Sequence, residues 1–504
     1  MRLRNQFVAL SSAILFAACS TDAVVSPMKV PTGPSLSIST GTESGNYLVS
    51  LKGSSIPSDF ASRVASVGGS IMYANGKAGF AAISGLTADA AAKVGALSSV
   101  AEIQADEAIA LDIPQSIQAD ASALDNPSID SQTNPASAIL ASWSWNMRLI
   151  GADRAWAAGK LGSSDVTVAI LDTGLDYDNR DLTGLVDLSR SKSFMSTFSK
   201  ATDTSTVRPA DDTVTAKVFP TRNAITDYNG HGTNVGAIVS SKAFAFPGVT
   251  SRTTLIGVKV LGSNGSGSFS QVLSGVLWAA DHGADVANMS LGGGFSKAGN
   301  GRFVGLINKV FNYAKAQGML IVVSAGNSGA DLQHNGNFQS DYCDAPHVLC
   351  VSAVGPTTWT GNGDEPAFYT NYGRSVVGVA APGGNAAFDA KGNIVPSNGW
   401  PWGAGPNLTD IASWVWSFCS RFSIGSWNAQ NLPGSFPCSS GGRLNGYIGT
   451  SQASPHVTGL AALLVAQYGH GQPQRIKQMI MQTGDPINPL LGRSRISVKN
   501  ALGL

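Results

Sequence analysis

At 504 residues, 43% of them hydrophobic and 13% charged, the chain is long enough for two or three domains and too apolar to be disordered. Its formal net charge of +1 gives no electrostatic reason to expect nucleic acid as a partner. The 58 glycines follow no three-residue period, which excludes a collagen-like chain and leaves many turns and close backbone approaches.

Residues 1–19 read as an export signal. Arg2 and Arg4 form a basic start, and 7–18 is an apolar run too short to span a membrane, which needs about 20 residues. Ala17-Ala18-Cys19 offers a small-residue cleavage site. The stretch "LFAACS" also resembles the lipobox of bacterial lipoproteins, with Phe16 where leucine is usual, so a lipid anchor on Cys19 and a simple cleaved signal both stay open. Export makes the remaining cysteines informative: Cys343, Cys350, Cys419 and Cys438 are an even set in an oxidising compartment. Sequence proximity favours Cys343–Cys350 and Cys419–Cys438, two short loops whose closure contributes about 2.5 and 3.3 kcal/mol by chain entropy.

Residues 20–45 form a tether, Ser, Thr, Pro and Gly-rich from 25 to 44. Residues 46–111 then alternate compactly. "YLVSLKG" has strand character, 60–67 is helical, and "SIMYANGKAGFAAIS" is a hairpin turning at Asn75-Gly76. "TADAAAKVGAL" is helical and "VAEIQADEAIAL" returns as strand. This β-α-β-β-α-β order predicts a small ferredoxin-like α+β domain. Residues 112–142 are polar and proline-punctuated, a linker by composition.

From Trp145 onward the pattern changes. "VTVAIL", "LIGVKVL", "ADVANMSL", "MLIVVSA", "HVLCVSAV" and "VVGVAA" are near-continuous apolar runs, as expected of strands buried on both faces. Helical stretches lie between them, among them 271–282 and 303–317. Alternation of this kind predicts an α/β fold, a parallel sheet with helices on both faces. In such sheets function gathers at the carboxyl ends of strands.

Three motifs sit at such ends. "VAILDTGLD" ends a strand with Asp172, "NGHGTNVGAIVSS" opens a helix with His231, and "GTSQASPHVTG" opens another with Ser451. Singly, each has a plain structural explanation: a turn residue, a solvated histidine, a helix N-cap. Together they supply what activates a serine hydroxyl, namely an imidazole to take its proton and a carboxylate to fix that imidazole. The chain order Asp, His, Ser is that of subtilisin, and 449–453 lacks the second glycine of the α/β-hydrolase elbow. No H-E-x-x-H supports zinc proteolysis.

These three blocks resemble the signature blocks of the subtilisin-like serine peptidases. "ANMSLGG", "VVSAGN", "YTNYG" and "VAAPGG" follow in the family's order. The resemblance runs from Trp145 to the C-terminus and implies a peptidase domain at 143–504. It implies a triad of Asp172, His231 and Ser451, with Asn327 supplying the oxyanion-hole amide. It also implies that Ser290, Leu291 and Gly292 form an exposed edge that pairs with extended substrate. Residues 46–111 resemble the family's inhibitor-type propeptide, so the chain's own propeptide is expected as an intramolecular inhibitor of a self-processing zymogen. Maturation is expected within 112–142, giving a chain that starts near residues 143–150. The partners so implied are protein or peptide substrates cleaved by a monomer, secreted or held at a bacterial envelope. No cofactor is expected for catalysis. Structural calcium is common in the family and Asp181 falls at a frequent ligand position, but no metal ligand is assigned.

The chain departs from the family at Asn234 and Gly236 after the histidine and at Gln452 after the serine. The connection 384–445 is unusually long. It carries five of the ten tryptophans and could rim the substrate groove, bind a partner or pack on itself. A catalytically dead relative and an acyl hydrolase of another kind are the alternatives; filled catalytic positions weigh against the first and the absent elbow against the second.

Overall fold

A computed structural model describes residues 45–120, 131–195, 209–340, 342–357, 361–386, 388, 413–439 and 443–504. The signal, Cys19 and the tether as far as Ser44 lie outside the described residues.

The apolar runs form one seven-stranded parallel sheet. Its order is Val379–Pro382, Leu349–Val354, Leu320–Ser324, Val286–Met289, Thr167–Asp172, Thr254–Lys259 and Lys192–Ser193. Period-two geometry sends alternate side chains to opposite faces, and both faces are covered. Val168 and Ile170 pack among the helices His231–Val239, Thr450–Tyr468 and Pro473–Thr483. Ala169 and Leu171 pack against Phe269–Asp281 and Gly301–Ala316. The near-continuous hydrophobicity of these runs therefore has a direct cause: neither side of the sheet meets water. Because the strands are parallel, Asp172, Ser290 and the 325–327 turn all emerge at one edge of the sheet.

Residues 45–105 form an antiparallel sheet in the order Ser70–Asn75, Phe80–Leu86, Gly45–Leu51, Val100–Ala105, with helices Phe60–Ser66 and Ala88–Gly95. One face, including Val49, Leu51, Ala81 and Ile83, closes a core with Phe60, Val64 and Val94. The other, through Leu48, Phe80 and Ala82, joins the core under helices 269–281 and 301–316. Polar ties fasten this contact: Lys309 Nζ donates to the carbonyls of Leu51 (2.7 Å) and Gly79 (3.2 Å), and Asn75 Nδ2 donates to Asp281 (2.7 Å).

The docking also uses two adjacent carboxylates. Asp106 accepts the backbone N–H of Ser270 (2.9 Å) and the Ser270 hydroxyl, capping the helix at 269–281 from outside its own segment. Glu107 follows, with Oε1 buried and unpartnered. Burial, with the Asp106 charge beside it, pushes the Glu107 carboxyl up from 4.5 to about 7. The folded chain thus holds a proton that the unfolded chain releases. The contribution of this group to stability is fully present below pH 4.5 and is lost as pH rises toward about 7, after which it adds no further change. In an uncut Ser451→Ala background, Glu107→Gln should abolish that loss. The gap between the two denaturation midpoints should widen from pH 5 to pH 7.5, with the glutamine variant the more stable; a constant gap would refute the linkage.

Both expected disulfides are present, Cys343–Cys350 and Cys419–Cys438.

Candidate active site

Asp172 and His231 are fully buried, and His231 Nδ1–H donates to Asp172 Oδ1 at 2.8 Å. The same oxygen accepts the Thr173 N–H at 2.7 Å. The imidazole is brought there by close backbone approach: a Cβ on Gly232 would sit 2.2 Å from the Gly174 carbonyl oxygen, so only glycine fits beside the histidine. Asp227 organises the approach by accepting from the N–H groups of Asn229 (3.0 Å), Gly230 (2.8 Å) and Thr233 (2.9 Å). With Nδ1 committed to Asp172, Nε2 is left buried and unpartnered, an acceptor awaiting a proton.

Ser451 lies in the first turn of Thr450–Tyr468. Its Oγ donates to the Ser290 carbonyl at 3.2 Å, so the structure pairs Asp172 with His231 while the serine hydroxyl points to a neighbouring strand end. Rotation about χ1 between staggered wells redirects such a hydroxyl at little cost. Pro455 sits inside this helix and has no N–H for the Ser451 carbonyl, which instead accepts from Ser290 Oγ at 2.7 Å. His456 is a structural residue: Nδ1–H donates to Gln452 O, Nε2 accepts from Asn146, and burial lowers its pKa to about 4.

Asn327 is oriented from behind. Its Oδ1 accepts from the N–H and the hydroxyl of Thr450, both at 2.8 Å, which turns Nδ2 into the cleft. There Nδ2 donates to the carbonyl oxygen of Asp112 at 2.5 Å.

That contact fixes the path of the whole segment. Ala108–Ala110 pairs antiparallel with Ser266–Ser268, and the Leu111 N–H donates to Gly265 O at 2.9 Å. Ile109 is buried in the core. Beyond the cleft, Gln115–Asp120 pairs antiparallel with Arg443–Ile448. Residues 107–120 therefore cross the site in extended form, with the Asp112 carbonyl at Asn327.

The Peptidase_S8 subtilase family model matches residues 163–499. The chain belongs to the subtilase family. It is 30% identical over 273 residues to a subtilisin-like protease of Coccidioides posadasii, covering 52% of this subtilase and 56% of that protein. It is 29% identical over 339 residues to a thermophilic serine proteinase of Bacillus sp. (strain AK1), covering 67% and 60%. The chain thus spans little more than half the length of these curated relatives. The fold is also that of an epidermin leader peptide processing serine protease from Staphylococcus aureus, with a TM-score of 0.65 at 20% identity over 92% of this subtilase and 98% of that chain.

The resemblance pointed to Ser290, Leu291 and Gly292 as the substrate edge. In this subtilase Ser290 is buried and bonded to Ser451 and Ser454, Leu291 is buried in the core, and Gly292 alone faces open space. Among the described residues, the crossing segment pairs with Ser266–Ser268 and with Arg443–Ile448, not with 290–292. The first of these edges lies in "GSNGSGSFS", which has no apolar periodicity to mark it as strand.

The two carboxylate oxygens of Asp181 accept the N–H groups of Ala245 (3.0 Å) and Phe246 (3.2 Å). Burial pushes its carboxyl up to about 6. Among the described residues no group of three or more His, Cys, Asp or Glu could hold a metal ion.

The described part of the long connection packs beneath the histidine loop. Trp414, Trp416 and Phe418 enter the main core, and Val415–Phe418 pairs with Arg443–Ile448. Within the loop closed by Cys419–Cys438, Ser420 Oγ donates to Asp227 O (2.6 Å), Ser423 Oγ to Asn229 O (3.0 Å) and the Ile424 N–H to Tyr228 O (3.0 Å). These residues grip the backbone just ahead of His231.

Proposed function

We propose that this subtilase is an exported serine endopeptidase made as a zymogen, and that its first substrate is its own Asp112–Ile113 bond. The observation that carries the reading is the 2.5 Å hydrogen bond from Asn327 Nδ2 to the Asp112 carbonyl, on a segment held as strand on both sides of that bond. Ser451 Oγ attacks the Asp112 carbonyl carbon as His231 Nε2 takes its proton. Asp172 keeps the other ring nitrogen protonated and stabilises the imidazolium. The oxyanion meets Asn327 Nδ2 and the Ser451 N–H. Collapse breaks the C–N bond, and the Ile113 amine leaves with the proton from His231. Water, deprotonated in turn by His231, then cleaves the acyl ester and frees the Asp112 carboxylate.

Residues 46–111 act as the propeptide and, with Asp112, leave a C-terminal end in the cleft as product. The packing of 131–140 argues against a mature chain beginning at 143–150. Gln132 Nε2 donates to Ser251 O and Ser251 Oγ to Gln132 O, while the N–H groups of Ile139 and Leu140 donate to the carbonyls of Phe244 and Ala245. The first product should start at Ile113, with any trimming confined to residues before Ser131. Export rests on the sequence of 1–19 and on two disulfides, and intact-mass analysis of the N-terminus distinguishes a lipidated Cys19 from a simple cleaved signal.

Asn327→Ala tests the reading directly. With a fluorogenic peptide, kcat should fall by about 10²–10³ with KM nearly unchanged, because the amide acts on charge that develops in the transition state. An unaltered kcat would remove Asn327 from the chemistry. Absence of any peptide hydrolysis by the wild type would favour a catalytically dead relative.

A further inference from the structure

The strand Arg443–Ile448 ends two residues ahead of the helix turn that carries Ser451. One edge is taken by Val415–Phe418, and the other is paired over six residues with Gln115–Asp120. Counted from the Asp112–Ile113 bond, those six are the third to the eighth residues on the leaving-group side.

Both faces of this strand are closed. Leu444 and Ile448 are buried in the main core, and a Cβ on Gly446 would meet the Trp416 ring at 2.9 Å. On the opposite face Tyr447 stands edge-on to the His231 ring at 5.7 Å, and its hydroxyl accepts from Asn445 Nδ2 at 2.6 Å. With side chains occupied above and below, what the strand offers a ligand is its row of backbone N–H and C=O groups. An edge of that kind recruits another strand unless it is covered.

We propose that this edge is a substrate-docking strand, on which the subtilase binds residues three to eight beyond the scissile bond through their main chain. The proposal rests on the peptidase reading and extends it to the leaving-group side of the substrate. Its occupant in the precursor is the chain's own 115–120; its occupant in the working enzyme is the extended leaving-group half of a protein substrate. The long connection acquires a role with it, since Val415–Phe418 and the Cys419–Cys438 loop hold the docking strand and the histidine loop in one unit. Recognition by backbone makes this half of the site sensitive to substrate length and tolerant of substrate sequence.

The test uses mature protein of determined N-terminus and peptides sharing Glu-Ala-Ile-Ala-Leu-Asp before the scissile bond. After it they carry two, four, six or eight residues of Ile-Pro-Gln-Ser-Ile-Gln-Ala-Asp. From two to eight residues kcat/KM should rise about tenfold, the scale of one or two net hydrogen bonds, mostly through KM. Scrambling residues three to eight should preserve the gain. N-methylation along them should remove it at alternate positions, because successive N–H groups in an antiparallel pair point to opposite sides. In protein whose determined N-terminus lies beyond Asp120, which leaves the edge free, a flat series overturns the proposal. Hydrolysis of the shortest peptide tests the peptidase reading separately, since that peptide does not reach the docking strand.

Discussion

Ser451→Ala is expected to accumulate as a folded, full-length precursor in which Asp112–Ile113 is intact. Removing the nucleophile of a subtilisin costs on the order of 10⁶ in kcat, a magnitude borrowed from that enzyme, and it would stretch a self-cleavage of seconds to about two weeks. The bond has its carbonyl on Asn327 and its flanking residues paired as strand, so what the substitution removes is the attacking hydroxyl. The precursor should fold, because Ser451 contributes only a 3.2 Å hydrogen bond from its hydroxyl to Ser290. Wild type purified from a host without other extracellular proteases should instead give a fragment ending at Asp112 and a partner beginning at Ile113, read by N-terminal sequencing and intact mass. Maturation of the alanine variant at the wild-type rate would assign the cut to another enzyme. A wild-type cut elsewhere, with Asp112–Ile113 intact, would remove this bond as the first substrate.

The sequence made the central sheet legible because burial on both faces leaves an unbroken apolar run that needs no tertiary knowledge to read. The disulfide pairs were legible for a related reason, since the chain separations of 7 and 19 residues make those loops the easiest to close. Asp172, His231 and Ser451 could be picked out by residue type and order. Their mutual geometry could not, and the hydroxyl of Ser451 in fact bonds to Ser290. The path of the crossing segment was hidden for two reasons. Ser266–Ser268 is a Gly/Ser stretch with no side-chain period, and Arg443–Ile448 is interrupted by Gly446, which is required because Trp416 fills the place of its side chain. Which bond of 112–142 meets Asn327 depends on where a neighbouring domain docks, and no local pattern encodes that.

Two of the three departures from the family explain one another. Gln452 Nε2 donates to Asn234 Oδ1 at 3.2 Å, and Asn234 Nδ2 donates to Ser417 Oγ at 3.0 Å. Two unusual residues, one after His231 and one after Ser451, thus meet each other and a strand of the long connection. A buried amide needs partners for both its ends, and here each change supplies one. The connection is therefore built into the site, in agreement with its hold on the backbone at 227–229.

Asp172→Asn is the substitution that should separate geometry from charge. Its carboxylate accepts two hydrogen bonds on Oδ1, from His231 Nδ1 and from the Thr173 N–H, and leaves Oδ2 buried without a partner. An asparagine can keep its oxygen toward both donors, burying an NH₂ with nothing to donate to, and the imidazolium then loses its counter-charge. Alternatively it can turn the NH₂ toward His231, which forces the proton onto Nε2, the nitrogen that must accept from Ser451. Either arrangement disables the base while leaving the shape of the site in place. The expected loss in kcat is about 10⁴, the magnitude found for the equivalent change in a serine protease of another fold, with KM changed little. Peptide kinetics on the purified variant, alongside its thermal midpoint, distinguish this from simple unfolding. A variant that folds and retains kcat within tenfold of wild type would show that Asp172 only positions the loop, and that His231 draws its basicity from elsewhere.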